Sequence, residues 1–443
     1  MEDAVSIRKF SAVILFLFSI IISNSAFALL SLELTRGVAG ATPIAVVPFA
    51  ATGGTPPLDL SAVVSNDLQN SGRFKVYGRD ALSNFPSDAH EVQSDYFRNL
   101  GADNVVIGKV VSVGDGKYQV SFQLLDVVRG KNLPAEQAIL DDKFVVSAEQ
   151  LRPLAHHISD LIYEKILGVR GIFSTRVAYI RVNRSVTPNQ YVLEVSDQDG
   201  ENPHPLLTST DPIMSPAWSP NGRKVAYVSF ENRRAAIFVE DVASGAREIV
   251  SSTKGINGAP AWSPDGRKLA LVLSKDGSPN IYVLDLGTRQ LTQMTHDWSI
   301  NTEPAWSPDG RSIIFTSNRG GGPEIYKINV ANRASSRLTY DGSYNARGSY
   351  SPDGNHIVML HQESGVFNIG ILDLNTGSFR LLTNSAGDNE SPSIAPNGSM
   401  VLYGALYSGR SVLGMVSSDG RVQVRLPARD GDVQDPAWSP FLS

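Results

Sequence analysis

The sequence predicts a mainly β protein: a six-bladed β-propeller closed by its own C-terminal strand, preceded by a small α/β domain. Three observations predict it. A repeat of 44 residues runs without insertions through the C-terminal two-thirds of the chain. Each unit alternates as four short strands would, and residues 29–168 lack the repeat and carry helical stripes instead.

The repeat marker is Trp218, Trp262, Trp306, Tyr350, Ile394 and Trp438, each 44 residues after the last. A second row holds the same register: Leu193, Ile237, Ile281, Ile325, Ile369 and Leu413. After each Trp comes a turn such as Ser263-Pro-Asp-Gly, with Pro and Gly where a type I turn favours them. Alternating runs follow, for example Lys268-Leu-Ala-Leu-Val-Leu and Asn280-Ile-Tyr-Val-Leu-Asp-Leu. Four short strands in about 44 residues make one propeller blade. The two rows are offset, because Leu193 has no Trp motif before it and Trp438 has no strands after it. Residues 435–441 therefore supply the first strand of the blade whose other strands lie in 172–209. This closure pairs two edges that an open array would expose.

Residues 29–168 read as a mixed sheet with helices on one side. Ile44-Ala-Val-Val-Pro-Phe is a buried strand, and Asp59 to Ser71 is a helix with Leu60, Val63, Val64 and Leu68 on one face. A helix over about 88–100 ends at Gly101. A hairpin turns at Asp115-Gly116. The last helix opens with the capping box Ser147-x-x-Gln150 and stops at Gly168, with Pro153 a possible kink.

Residues 1–28 have the layout of a cleavable export signal: Arg8 and Lys9, the apolar run Phe10 to Ile22, then Ala26-Phe27-Ala28. The apolar core falls short of the ~20 residues that span a bilayer. The 443-residue chain has 39 Lys+Arg against 44 Asp+Glu, and no basic block of the kind nucleic-acid binding requires. It has no Cys, which removes disulfides and thiolate chemistry together.

Of the seven histidines, the four in the repeat (His204, His296, His356 and His361) fall at unrelated blade positions; none shows metal-ligand spacing, and no nucleophile elbow, P-loop or dinucleotide motif is present. His156 and His157 are adjacent, at home on a surface or a domain interface. The Asp of each Ser-Pro-Asp-Gly turn and the row Asp197, Asp241, Asp285 and Asp373 recur once per blade, so they serve the blade. The Trp row belongs to inter-blade packing for the same reason. No catalytic, cofactor or metal residue is assigned. Function is expected where the repeat breaks its own pattern. Three residues before the marker stand Ser215, Ala259, Glu303, Arg347, Ser391 and Asp435, on loops at one mouth of the central channel.

With the export signal, the opening Pro43-Ile-Ala-Val-Val-Pro-Phe and the run Ala259-Pro-Ala-Trp-Ser-Pro-Asp-Gly-Arg-Lys-Leu-Ala, the chain resembles the TolB family of the Tol–Pal cell-envelope system. The resemblance extends over residues 29–443. It implies a non-enzymatic periplasmic adaptor that supports outer-membrane integrity and envelope constriction during cell division. It implies a monomer without cofactors that meets membranes only through its partners. Those partners would be the lipoprotein Pal at the propeller mouth and TolA at the N-terminal tail. Carried over by motif, Met214, Ser215, Asn257, Ala259, Asn301, Thr302 and Glu303 would meet Pal, with Ile256 and Arg347 beside them. Ile256 departs from the polar residue that related sequences carry. The tail contacts would be Leu30, Leu32 and Leu34, whose alternation suits addition as a strand to a partner's sheet. From the repeat alone, a propeller hydrolase or a ligand- or metal-binding propeller is the alternative.

Overall fold

A computed structural model describes residues 40–128, 138–384, 387–426 and 431–442, and the backbone of 33–36. The export signal, Leu30 and Leu32 lie outside the described residues. Six antiparallel sheets of four propeller strands each form the propeller, and the strand Glu33–Arg36 adds a fifth to one of them. Blades 1 to 5 begin with the inner strands Ile213–Trp218, Asn257–Trp262, Asn301–Trp306, Asn345–Tyr350 and Asn389–Ile394. Blade 6 is assembled from both ends of the propeller. Its inner strand, Asp432–Trp438, pairs antiparallel with Arg176–Asn183, followed outward by Gln190–Asp197 and His204–Ser209.

The two sequence rows explain why the ring holds. The indole N–H of Trp262 donates to the carbonyl of Ala217 in the preceding blade at 3.1 Å, and Trp306 donates to Ala261 at 3.2 Å. Trp218 makes the same bond to Ala437, at 3.1 Å across the closure. The turn glycines repeat the pattern. A side chain at Gly266 or Gly310 would meet Pro220 or Pro264 of the blade before, and one at Gly222 would meet Pro440 and Leu442. Each of these glycines has φ near +70°, where a Cβ is strained. The turn acids are internal fasteners: Asp265 accepts from Ser263 Oγ and the Arg267 amide, and Asp309 from Ser307 Oγ and the Arg311 amide. Asp241, Asp285 and Asp373 likewise accept backbone amides in their own turns.

The N-terminal α/β region has a six-stranded sheet ordered Phe74–Tyr77, Thr42–Val46, Asn104–Gly114, Lys117–Asp126 and Leu140–Ser147, with Ala50–Thr52 also on Asn104–Gly114. Helices α1 (Leu60–Asn70) and α3 (Leu151–Leu167) pack on one face with Ile44, Val46, Phe122 and Leu124. The expectation of helices on one side only is corrected. Short α2 (Ser94–Leu100) and its Phe97 cover the opposite face with Ala45, Val47 and Ile107. An uninterrupted apolar run such as Ile44–Val47 calls for cover on both faces. The helix expected over about 88–100 is a 3₁₀ turn at Ala89–Glu91 followed by α2. Pro153 lies in the first turn of α3, where a missing N–H breaks no helical bond.

The seam between this region and the propeller is polar and specific. Asp160 of α3 accepts the amides of Phe173 and Ser174, fixing the connecting segment. Arg152 of α3 pairs with Asp197 at 3.0 Å and with Asp199. Asp197 is thus the one acid of its row that serves a neighbouring region. His156 is 2 % exposed; its Nδ1 lies 2.8 Å from Asp67 of α1 and its Nε2 3.8 Å from Asp197. His157, one residue on, is exposed. Burial pulls the His156 imidazole pKa down, but the charge and hydrogen bond of Asp67, with Asp199 beyond, overcome it and hold the pKa at about 9. A histidine whose pKa rises on folding adds stability below its ordinary 6.5, and that stability is lost as pH climbs through 9. Denaturant unfolding between pH 6.5 and 9.5 should therefore show a loss of about 3 kcal/mol. His156→Gln should be less stable at pH 6.5 and lack that loss; an equal pH slope in both proteins would refute the charged pair.

Candidate partner-binding site at the propeller mouth

The six pattern-breaking residues share one backbone device. In every blade the inner strand slips register at this point; in blade 3 the slip falls between Thr302 and Ala305. The residue in the slip takes a positive φ: Ser215 53°, Ala259 44°, Glu303 53°, Arg347 52°, Ser391 53° and Asp435 49°. Such bulges re-aim a side chain out of the strand's alternation. Here they line an open cavity of about 330 Å³ at the channel mouth. Non-glycine residues at positive φ are uncommon, and six in register mark the rim as a place where side chains were kept despite strain.

Charges tie the rim across the channel. The Arg347 guanidinium donates to Glu303 Oε1 at 2.9 Å, to Asp435 Oδ1 at 2.8 Å and to Ser391 Oγ. Glu303 Oε2 also accepts from the Arg347 amide and from Thr316 Oγ1, at 3.0 and 2.8 Å. Asp435 Oδ2 accepts the Ser215 amide at 3.0 Å. Burial pushes the Asp435 carboxyl up, but Arg347 more than offsets it and holds the pKa below the ordinary carboxylate range. Burial lifts Glu390 above its ordinary value, partly countered by Arg347. Counting Glu303, Glu390 and Asp435 against Arg347, carboxyl groups outnumber the cation at this rim.

Of the residues expected at the mouth, Met214, Ser215, Ile256, Ala259, Thr302, Glu303 and Arg347 line this one cavity. Asn257 and Asn301 do not; they are 1 % and 0 % exposed. Asn257 accepts from Ser251 Oγ and the Thr253 amide, and Asn301 donates to Asn280 and Asp297. Asn345 and Asn389 repeat the role 44 residues apart, each at the start of an inner strand. The period itself marks this row as structural, the same signal that identified the turn acids. Among the tail residues, Leu34 lies in the strand Glu33–Arg36. Its backbone pairs antiparallel with Gln423–Arg425 at the outer edge of blade 5.

Among the described residues, the group with metal-ligand chemistry is Asp67, His156 and Asp199 at the seam. There Arg152 pairs with Asp197 and Asp199, and His156 lies against Asp67. Among the described residues no helix is long and apolar enough to cross a membrane.

A closed wheel with a strained, charged rim, joined to an N-terminal α/β region, defines a two-part propeller protein. Two family models match: the TolB beta propeller domain over residues 163–442 and the TolB amino-terminal domain over 30–133. A curated Tol-Pal system protein TolB from Legionella pneumophila is 56% identical over 97% of this chain and 99% of its own length. The match to the Nitrosococcus oceani protein of the same name, 47% identical, covers 54% of each chain. A crystal structure of TolB from Acinetobacter baumannii superposes with a TM-score of 0.84 and 40% identity, over 93% of this chain and 99% of that one. The chain belongs to the TolB family of the Tol–Pal system.

The rim network sets a stability test. Arg347→Ala leaves the largely buried Asp435 without its counter-charge and should lower unfolding stability by about 2 kcal/mol. Adding Asp435→Asn should recover at least half of that loss in urea denaturation. Additive losses would show that the two residues do not act as a pair.

Proposed function

We propose that this protein is a periplasmic, non-enzymatic adaptor that binds Pal at the propeller mouth and TolA through its N-terminal tail, supporting outer-membrane integrity and constriction during division. The observation that carries the reading is the mouth. Seven residues expected there line one open cavity on a rigid frame, four of them (Ser215, Ala259, Glu303 and Arg347) on the strained bulge that every blade carries. Family membership supports a role among Tol–Pal components. The rim's groups are locked to one another by hydrogen bonds, an arrangement suited to recognition rather than to proton transfer.

The capture test uses mature protein and envelope extract. Thr302→Arg places a bulky cation in the cavity while leaving Arg347 and each of its hydrogen-bond partners unsubstituted. The unsubstituted protein should retain a peptidoglycan-bound lipoprotein, and the variant should lose it while melting normally. Absence of any lipoprotein with the unsubstituted protein would count against the adaptor reading.

The tail strand bears on TolA. A strand lent to a partner's sheet must present free backbone N–H and C=O groups, and blade 5 already takes one edge of Glu33–Arg36. Release from blade 5 frees that edge as well, so TolA is proposed to bind the tail in its released state. We propose that occupancy of the mouth shifts this equilibrium through the seam. Proteolysis of the tail should change at least severalfold when Pal is added; identical rates with and without Pal would count against coupling.

A further inference from the structure

Around the mouth, apolar side chains stand in water on backbone that is firmly held. Trp298 is 91 % exposed, Tyr340 71 %, Ile300 51 % and Ile256 46 %. Large apolar groups left in water on a loose loop would be unremarkable; these are not on loose loops. Asp297, the neighbour of Trp298, pairs with Arg319 at 2.9 Å and accepts from Asn301 Nδ2 and the Ser299 amide. Its carbonyl accepts from Ser278 Oγ at 2.8 Å. Ile300 exchanges backbone bonds with Asn318, its amide donating to Asn318 Oδ1 at 2.9 Å. Ile256 is clamped in the same way by Ser274, whose Oγ accepts its amide at 2.7 Å. The Tyr340 ring carries the Arg337 guanidinium 4.9 Å from its centre, and its hydroxyl donates to the Arg337 carbonyl.

These residues are continuous with the cavity. Ile256 lines it. Ser274, which clamps Ile256, opens the turn that reaches Gly277, and the Trp298 ring lies against Gly277. An arc therefore runs from the mouth through Ile256 to Trp298 and Ile300; Tyr340 flanks it on the next inter-blade loop, over a separate groove lined by Leu372 and Phe379. Inside the arc lies the carboxyl-rich rim of Glu303, Glu390 and Asp435 around Arg347.

We propose that Trp298, with Ile300, Ile256 and Tyr340, is an apolar crest forming the outer half of the mouth interface, and that Trp298 is its principal anchor. The occupant is the lipoprotein of the reading above, on which this inference rests. Its contact surface is assigned a chemistry: a hydrogen-bond-donating or basic tip for the acidic rim, framed by an apolar ring for the crest. Aromatic side chains held in place before binding lose little freedom when covered, and Trp and Tyr dominate interface hot spots for this reason. Contacts of this kind are insensitive to salt, whereas those to the acidic rim weaken as salt rises.

The test is a titration of full-length mature protein with detergent-solubilised Pal from the same organism, read by affinity and by tryptophan emission. Trp298→Ala should weaken binding by about 10- to 50-fold and Tyr340→Ala by about 3- to 10-fold. Both should leave the melting temperature unchanged, since the side chains are in water. Trp298→Phe should retain most of the affinity. Pal should shift emission of the unsubstituted protein to shorter wavelength, and that shift should vanish in Trp298→Phe. Tight binding unaffected by Trp298→Ala would overturn the crest and leave the adaptor reading standing. No binding by the unsubstituted protein would overturn both.

Discussion

The structure depends on one antiparallel pairing, that of Asp432–Trp438 with Arg176–Asn183, between segments more than two hundred residues apart in sequence. A stack of blades has two free edges, and the apolar faces of its end blades have no partner. Here the last strand of the chain becomes the first strand of the blade that opens the propeller. The Trp218–Ala437 bond and the Gly222–Pro440 contact then continue across the join as they do between other blades. Among the four indoles of the row, Trp438 breaks step: it donates to Thr175 Oγ1, at the point where the segment from the α/β region enters the ring. The closure thus also anchors that segment, whose adjoining residues Phe173 and Ser174 are gripped by Asp160.

Closure makes the mouth possible. Only a ring whose blades cannot splay can hold Arg347 against Glu303 on one side and Asp435 on the other, since these come from blades 4, 3 and 6. The positive φ of all six bulge residues costs free energy that the hydrogen-bonded inner strands must offset. The rim is therefore both strained and rigid, which suits a surface meant to be matched rather than remodelled.

The architecture was legible because a strict period leaves little freedom. Rows of Trp and Ile/Leu gave blade count, register and closure, and their offset identified the blade made from both ends. The α/β region was legible strand by strand, yet the distribution of its helices was not. Ile44–Val47 is apolar at every position, so its sequence says that both faces are covered without saying by what. At the mouth, the non-repeating positions were found by their divergence. The bulge beneath them was invisible, because non-glycine residues carry no sequence mark for a positive φ. Asn257 and Asn301 match a family motif that implies a partner contact, yet the folded chain buries their side chains. The spacing to Asn345 and Asn389 shows them to be buried staples. Trp298 went unnoticed because an exposed aromatic in a loop looks the same in sequence whether the loop is slack or clamped.

Both termini of the described chain end as added strands, and the difference between them is instructive. The C-terminal strand lies at the inner edge of its blade. Val433, Ala437 and Trp438 are buried, and it is fastened by side chains from three directions: Ser393, Thr175 and Trp218. The tail strand has four residues at the outer edge of blade 5, pairs with a three-residue strand, and slips register between Leu34 and Arg36. Segments open locally at a free energy set by how much burial and pairing they surrender. By that measure the closing strand should open only with the ring itself, while the tail strand can leave without disturbing a blade. The same interaction, a strand added to a sheet edge, is interlocked with three other segments at one end of the protein and rests on a three-residue partner strand at the other.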